Sequence, residues 1–457
     1  MRFFLAVWLA RIVGWVSRIT GRGGSSLPGL VARRVDSEVF RRITARLPGG
    51  VVLLTGTNGK TTTAAIVSYL LRQSGLTVVH NRSGANLIVG LTATLVQASR
   101  WRLYPDQDLA LLETDEATMP RAAEESHPRI IMVTNFFRDQ LDRYGELSTT
   151  VNFVKQGIQS LDPEGWLVLN ADDPQVAYLG ESVSRVVYFG ADLSAYPTKG
   201  SSHDVADARF CPRCGNELRY RRQYYAHLGD YHCPVCQYRR PVPDVLLVDW
   251  PGSNGKLRID YRGKQLMVPN RLPGLYNAYN IMAAMAVALL LDTDLDRVTE
   301  SLASFRPAFG RMEEIVIDGC RLWLALVKNP VGFNQVLEAV GQDTRRVKNL
   351  LFIINDRYAD GQDVSWLWDV DFERFVELDW NAWVSGIRAK DMAVRLLYAG
   401  LPPDRVHVVE KPEEALEMMT HYATSDQGYY ILPTYTALLD IRKYLTDRGY
   451  TRHFREG

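Results

Sequence analysis

The chain alternates short, uniformly apolar runs with longer stretches whose apolar residues recur at helical spacing. Runs at 50–55, 108–112, 129–133, 166–169 and 185–189 are strand-length and lack polar alternation. That is the pattern of strands covered on both faces in a largely parallel sheet. A helical periodicity reaching Leu71 follows the first run, and an alanine-rich stretch from about Asn277 to Leu291 reads as a long buried helix. After Arg306-Pro307 the pattern restarts, with strands expected around 313–317 and 349–354. The expected architecture is α/β. It comprises a basic apolar segment at 1–45, a central domain at 46–308 with an insertion at 205–240, and a smaller Rossmann-like α/β domain at 309–457. No internal repeat is evident, and the one low-complexity stretch is Gly-Arg-Gly-Gly-Ser-Ser at 21–26.

With 457 residues, two or three domains are expected, and 46% hydrophobic and 23% charged residues at a net charge of +1 give a globular balance. Bulk charge therefore names no partner. The first 46 residues depart from this balance: nine arginines face only Asp36 and Glu38, interleaved with Phe3, Phe4, Trp8, Ile12, Trp15 and Ile19. Arg11, Arg18 and Arg22 share one helical azimuth, as in a helix lying at a membrane surface, although the same pattern suits a helix packed on the protein's own body. Uncharged runs of about eight residues fall well short of the roughly 18 needed to span a bilayer. No small-residue cleavage site follows, so the start is expected to be retained on a cytoplasmic protein, peripheral at the inner membrane face if the helix meets lipid.

Four of the five cysteines form Cys211-x2-Cys214-x18-Cys233-x2-Cys236. Two knuckles of this spacing deliver four thiolates to one tetrahedral zinc, leaving no open coordination position, so the metal is expected to be structural. Cys320 is expected to be a buried bystander. Arg219, Tyr220, Arg221, Arg222, Tyr224 and Tyr225 between the pairs could serve single-stranded nucleic acid, but they equally suit an exposed hairpin, and no nucleic-acid partner is expected.

The first apolar run ends in Gly56-Thr57-Asn58-Gly59-Lys60-Thr61-Thr62 and leads into helical periodicity. Strand, glycine loop and helix start together aim backbone N–H groups at phosphate oxygens. Lys60 would meet the β and γ phosphates, and Thr61 would place its hydroxyl on Mg²⁺. The run Leu109–Leu112 ends in Glu113, beside the loop in an open α/β sheet, making Glu113 the candidate magnesium-side carboxylate. Asp356 follows the run Leu350–Ile354, a strand end where such sheets place active groups; the alternative is a turn aspartate capping local N–H groups. Asp360 and Asp363 read as structural.

Thr-Gly-Thr-Asn-Gly-Lys-Thr-Thr at 55–62, Glu113, Thr-Asn-x-x-x-Asp-x-Leu-Asp at 134–142, Asn277-x-x-Asn280 and Phe309-Gly310-Arg311-Met312-Glu313 occur in one order. Together they resemble the Mur ligase family, which joins amines to carboxylates using ATP, over about 45–340. The resemblance implies that Asn277 and Asn280 face the adenine and that Arg311 reaches the nucleotide. Gln140 stands where the family usually has His, and Ala-Leu-Val-Lys-Asn-Pro at 325–330 replaces Asp-Tyr-Ala-His-Asn-Pro. Lys155 lies one residue out of register with the family's carbamylated lysine and stays unassigned. The cysteine insertion, the Lys328-Asn329-Pro330 variant and the run 355–369 resemble the family's amidating branch, the synthetase subunits of lipid II isoglutaminyl synthase. That resemblance implies Mg-ATP-dependent amidation of the stem-peptide D-glutamate α-carboxylate, with ammonia from a GatD-type glutaminase in a heterodimer. It also implies that Asp356 is a catalytic aspartate which orients a partner histidine or handles ammonia's proton. Two competing readings are a ligase adding an amino acid, against which the 325–330 departure counts, and a zinc-ribbon nucleic-acid-binding ATPase.

Overall fold

The computed structural model describes residues 1–19, 26–81, 84–99, 103–138, 147–194, 207–252, 255–306, 310–421, 423–424 and 426–451. Arg22 and the rest of 20–25, the 139–142 half of the Thr-Asn run with Gln140, Phe309, and residues 205–206 of the insertion lie outside them.

Among the described residues, eleven strands precede residue 270. They are β1 (Val51–Thr55), β2 (Val78–His80), β3 (Leu109–Glu113), β4 (Ile130–Val133), β5 (Trp166–Asn170), β6 (Val186–Ala191), β7 (Arg219–Tyr225), β8 (Leu228–His232), β9 (Val245–Asp249), β10 (Lys256–Tyr261) and β11 (Lys264–Pro269). Nine of them form one sheet in the order β11-β10-β9-β6-β5-β4-β1-β3-β2, while β7 and β8 pair separately as a hairpin. From β2 to β9 every pairing is parallel; β10 and β11 add an antiparallel edge. The apolar runs are strands because both faces are covered. Along β1, Val52 and Leu54 join one core layer, with the helices Lys60–Gln73 and Leu275–Leu290, while Val51 and Leu53 join the opposite layer. Residues two apart share a face, so a central strand must be apolar throughout.

The second sheet holds β12 (Arg311–Ile317), β13 (Cys320–Ala325), β14 (Lys348–Ile353), β15 (Trp380–Ser385), β16 (Val406–Val408) and β17 (Gly428–Pro433), in the order β12-β13-β17-β14-β15-β16. Only the β12–β13 hairpin is antiparallel. Cys320 opens β13 half-buried, less enclosed than the sequence suggests, because the turn before it lies at the surface.

The basic start forms the helices Arg2–Ile19, Leu27–Val35 and Val39–Thr44. Phe3, Ala6, Val7 and Ala10 pack inward at helical spacing, and Arg33 makes a two-pronged bond with Glu125 at 2.7 and 2.6 Å. Arg11 donates to the carbonyl of Ser99, so it anchors the helix to the body and does not lie on an outward polar stripe. The opposite face leaves Phe4, Leu5, Leu9, Ile12, Trp15 and Val16 exposed. No helix among the described residues is long and apolar enough to cross a membrane.

Gly29 sets how closely the second helix approaches the helix Ile88–Ala98, since a Cβ there would overlap the carbonyl oxygen of Val89. Gly29→Ala is expected to destabilise the protein by about 1–3 kcal/mol through overpacking. Chemical denaturation would check this, and an unchanged midpoint would show that the helices separate freely.

Candidate nucleotide cleft and four-cysteine site

The loop after β1 is held by segments remote in sequence. Thr57 N–H donates to the Asn135 carbonyl at 2.9 Å, and Asn58 N–H donates to Asn135 Oδ1 at 2.8 Å. The Asn58 carbonyl accepts from Thr134 Oγ1 at 2.8 Å and Asn135 Nδ2 at 3.1 Å. Gly56 and Gly59 have φ of 120° and 86°. A Cβ on Gly56 would strike Thr134 Oγ1, and one on Gly59 would strike Asn280 Oδ1, so neither position admits a side chain. Lys60 to Thr62 open the helix, whose first-turn N–H groups have no intrahelical acceptors.

Lys60 Nζ bonds Glu116 Oε1 at 2.9 Å and the Gly56 carbonyl. Burial works to lower its pKa, yet Glu116, Glu113 and Asp115 together raise it above the usual lysine value, so the ammonium stays charged. Thr61 Oγ1 donates to Glu113 Oε1 at 3.2 Å and accepts from Arg311 Nη2 at 3.2 Å. Asn81 fixes Glu113 by receiving its N–H at 2.9 Å and donating to its carbonyl at 2.8 Å. A hydroxyl and a carboxylate this close fit a magnesium held largely by waters and phosphates.

The second sheet closes the cleft. Arg311 is half-buried, its loss of solvent pulling its pKa down while Glu113 opposes the pull, and its buried Nε–H has no acceptor among the described residues. Asn329 and Asn58 exchange amide bonds at 3.0 and 3.2 Å, and Asn329 also caps the helix Pro330–Gly341 through Gly332 N–H at 2.8 Å. Asn277, Asn280, Thr62, Phe137, Tyr225 and Lys328 line the same space, about 730 Å³ including its mouth. Asn280 receives Thr63 Oγ1 at 3.2 Å and donates to Asn277 at 3.1 Å. An unpaired buried guanidinium N–H, glycine faces that exclude Cβ atoms and a helix start form a cradle that fits a nucleotide phosphate chain.

Asp356 lies outside this cleft, just past β14, where Arg388 grips it through Nε and Nη2, both at 2.7 Å. Asp360 receives Thr436 N–H at 2.7 Å and Arg357 N–H at 3.1 Å, a structural position, and Asp363 caps Ser365 at 2.8 Å. The Asn58–Asn329 exchange joins the loops that follow β1 and β13, so the strand ends of the two sheets face each other. Lys155 is exposed on the helix Leu147–Ile158 and does not line the cleft.

The four cysteine sulfurs gather within 4.8 Å of one another, with Cys211–Cys236 at 3.6 Å and Cys214–Cys233 at 3.5 Å. A zinc with bonds of about 2.3 Å separates its thiolates by roughly 3.8 Å, so the cluster fits the ion with little adjustment. Each knuckle turns through a left-handed residue, Gly215 and Gln237.

Residues 54–210 match the Mur ligase middle domain and residues 326–438 the MurT ligase C-terminal family. The lipid II isoglutaminyl synthase (glutamine-hydrolyzing) subunit MurT of Streptococcus pneumoniae is 34% identical over 435 residues, 94% of each chain. Its Staphylococcus aureus counterpart is 32% identical over 96% of each. The chain belongs to the MurT branch of the Mur ligase family. The fold is shared with a pseudomurein peptide ligase type C from Methanothermus fervidus (TM-score 0.69, 23% identity, 90% of this chain and 81% of that one). It is also shared with MurF ligase from Thermotoga maritima in complex with ADP (0.63, 15%, 91% and 85%).

In this MurT-family chain the structure brings Gly56–Thr62, Glu113, Asn277, Asn280 and Arg311 around one cleft, keeps Asp356 apart, and clusters the four cysteines. Sequence reasoning did not single out Glu116, Asn329 or Arg388 as functional. Glu116 sits three residues past Glu113 in the same acidic strand end, a readable signal, whereas the Asn329 and Arg388 partners lie 271 and 32 residues away. Gly59→Ala is expected to weaken ATP binding about tenfold or more, because it combines left-handed strain with displacement of Asn280. Calorimetric titration would measure it, and wild-type affinity would rule out this loop path.

Proposed function

We propose that this protein is the synthetase subunit of a lipid II isoglutaminyl synthase. It would use Mg-ATP to convert the stem-peptide D-glutamate α-carboxylate to a carboxamide with ammonia from a GatD-type glutaminase. The observation that carries the reading is the likeness to MurT subunits across 94% of the chain, spanning both the phosphate loop and the sheet that ends in Asp356. The first-turn N–H groups of Lys60 to Thr62 and the Lys60 ammonium receive the phosphates, Lys60 trading Glu116 for phosphate oxygens, while Arg311 reaches in from the second sheet. Thr61 and Glu113 would hold Mg²⁺, which supplies positive charge against the phosphate oxygens when bound. The carboxylate oxygen attacks the γ-phosphorus as the bond to ADP breaks. Ammonia nitrogen then attacks the acyl carbon, the C–O bond breaks, phosphate departs, and the surplus proton leaves the nitrogen. Asp356, held by Arg388, either accepts that proton or orients a histidine of the glutaminase. Zinc at Cys211, Cys214, Cys233 and Cys236 is structural in this scheme.

Mass spectrometry of a lipid II analogue is expected to show conversion of acid to amide with glutaminase, glutamine and Mg-ATP. Asp356→Asn should cut the rate about 100-fold or more while leaving ATP affinity intact. Amidation that proceeds unchanged in Asp356→Asn would remove that residue from the chemistry, and amino-acid-dependent phosphate release would replace the amidation reading altogether.

We also propose that the protein works at the inner membrane face, a reading supported by the exposure of Ile12 and Trp15, 53% and 60%, on a helix within an arginine-rich segment. Sedimentation with vesicles containing anionic phosphatidylglycerol is expected, and Ile12→Glu with Trp15→Glu should abolish it. Absence of wild-type sedimentation would refute the placement.

A further inference from the structure

We infer that the four-cysteine insertion forms part of the nucleotide site, its hairpin carrying Tyr225 into the cleft as the stacking surface for the adenine ring. This rests on the nucleotide reading above and extends it to a segment that otherwise looks like a peripheral metal-held module.

The hairpin β7–β8 leaves the first cysteine knuckle, turns at Ala226-His227, and returns to the second, so a metal at the knuckles clamps its open end while its tip points away. At that tip Tyr225 lines the cleft together with Asn277 and Asn280. Its ring meets Tyr279 edge-on at 5.6 Å and lies 6.3 Å from Phe137, and the His227 ring lies 4.9 Å from Phe137. Phe137 in turn braces the phosphate loop, its N–H donating to Thr57 Oγ1 at 3.0 Å and its carbonyl accepting from that hydroxyl at 3.2 Å. An aromatic face beside two amide side chains suits a purine, which offers a π-face to stack and polar edges to bond.

The hairpin is seated on the core. Tyr224 Oη donates to the Ala191 carbonyl at 2.7 Å and Gly229 N–H to the Asp172 carbonyl at 3.0 Å. Arg240, just beyond the second knuckle, pairs with the Asp172 carboxylate, which also receives Tyr279 Oη at 2.5 Å. Tyr279 shares a helix with Asn277 and Asn280. One buried carboxylate therefore ties the insertion to the helix that presents both asparagines, and the position of Tyr225 depends on the knuckles being closed.

Calorimetric titration of the zinc-loaded, full-length protein with ATP and with inorganic tripolyphosphate separates a base contact from a phosphate contact. Tyr225→Ala should weaken ATP binding by about 5- to 100-fold, leave tripolyphosphate affinity unchanged and keep its zinc. Tyr225→Phe should bind ATP as the wild type does. Cys214→Ser with Cys236→Ser should lose ATP affinity selectively in the same way. The Tyr225 variants keep all four cysteines, so the outcome does not depend on the zinc-free form folding. Wild-type ATP affinity in Tyr225→Ala, or equal loss of both ligands, would overturn the inference. Failure of the wild type to bind either ligand would instead overturn the nucleotide reading on which it rests.

Discussion

The backbone between Thr55 and Lys60 passes within contact distance of the β4 extension on one side and of Asn280 on the other. Only hydrogen at two Cα positions permits this. The same close approach turns the first-turn N–H groups of the following helix toward open space, and it puts the Asn58 carbonyl where Thr134 and Asn135 can hold it. The geometry that fits the site to a phosphate chain is thus a packing property of three segments, with the glycines as the condition that lets them meet.

Around that loop, charge is arranged so that each group has a partner to exchange. The Lys60 ammonium rests on Glu116, the Thr61 hydroxyl bridges Glu113 and Arg311, and the Asn58 amide is paired with Asn329 from the second sheet. These bonds hold the cleft together and give its largely buried charges, such as Lys60 and Glu116, counterparts. The Asp356–Arg388 pair stands at the facing strand end, where Nε and Nη2 of the guanidinium share one carboxylate oxygen and the carboxylate stays partly exposed. The insertion and the first helix look like additions to this core. Both are bonded into it, the insertion through Asp172 and the first helix through Arg11 and the Ser99 carbonyl.

Much of this was legible in the residues. The uniform apolar runs at 108–112, 129–133 and 166–169 became β3, β4 and β5 because a central parallel strand has no solvent face to mark with polar residues. The 3.6-residue period up to Leu71 became the helix Lys60–Gln73 for the complementary reason: one stripe of it faces the sheet. The first segment was ambiguous in sequence since a helix with one face on protein and the other exposed carries the same composition as one lying on lipid.

The sequence by itself determined the glycine loop, the carboxylate at the end of β3, the four-cysteine cluster and the strand-end position of Asp356. Each is a local pattern in which spacing along the chain already dictates the chemistry. Only the tertiary structure decided that Arg311 would meet Thr61 across 250 residues, that Asn329 would pair with Asn58, that Arg388 would hold Asp356, and that Tyr225 of the insertion would reach the cleft. Those contacts join elements whose separation in the chain carries no periodic signal: the first two form where the two sheets meet, the third because β14 and β15 are parallel neighbours, and the fourth because Asp172 and Ala191 seat the hairpin on the core.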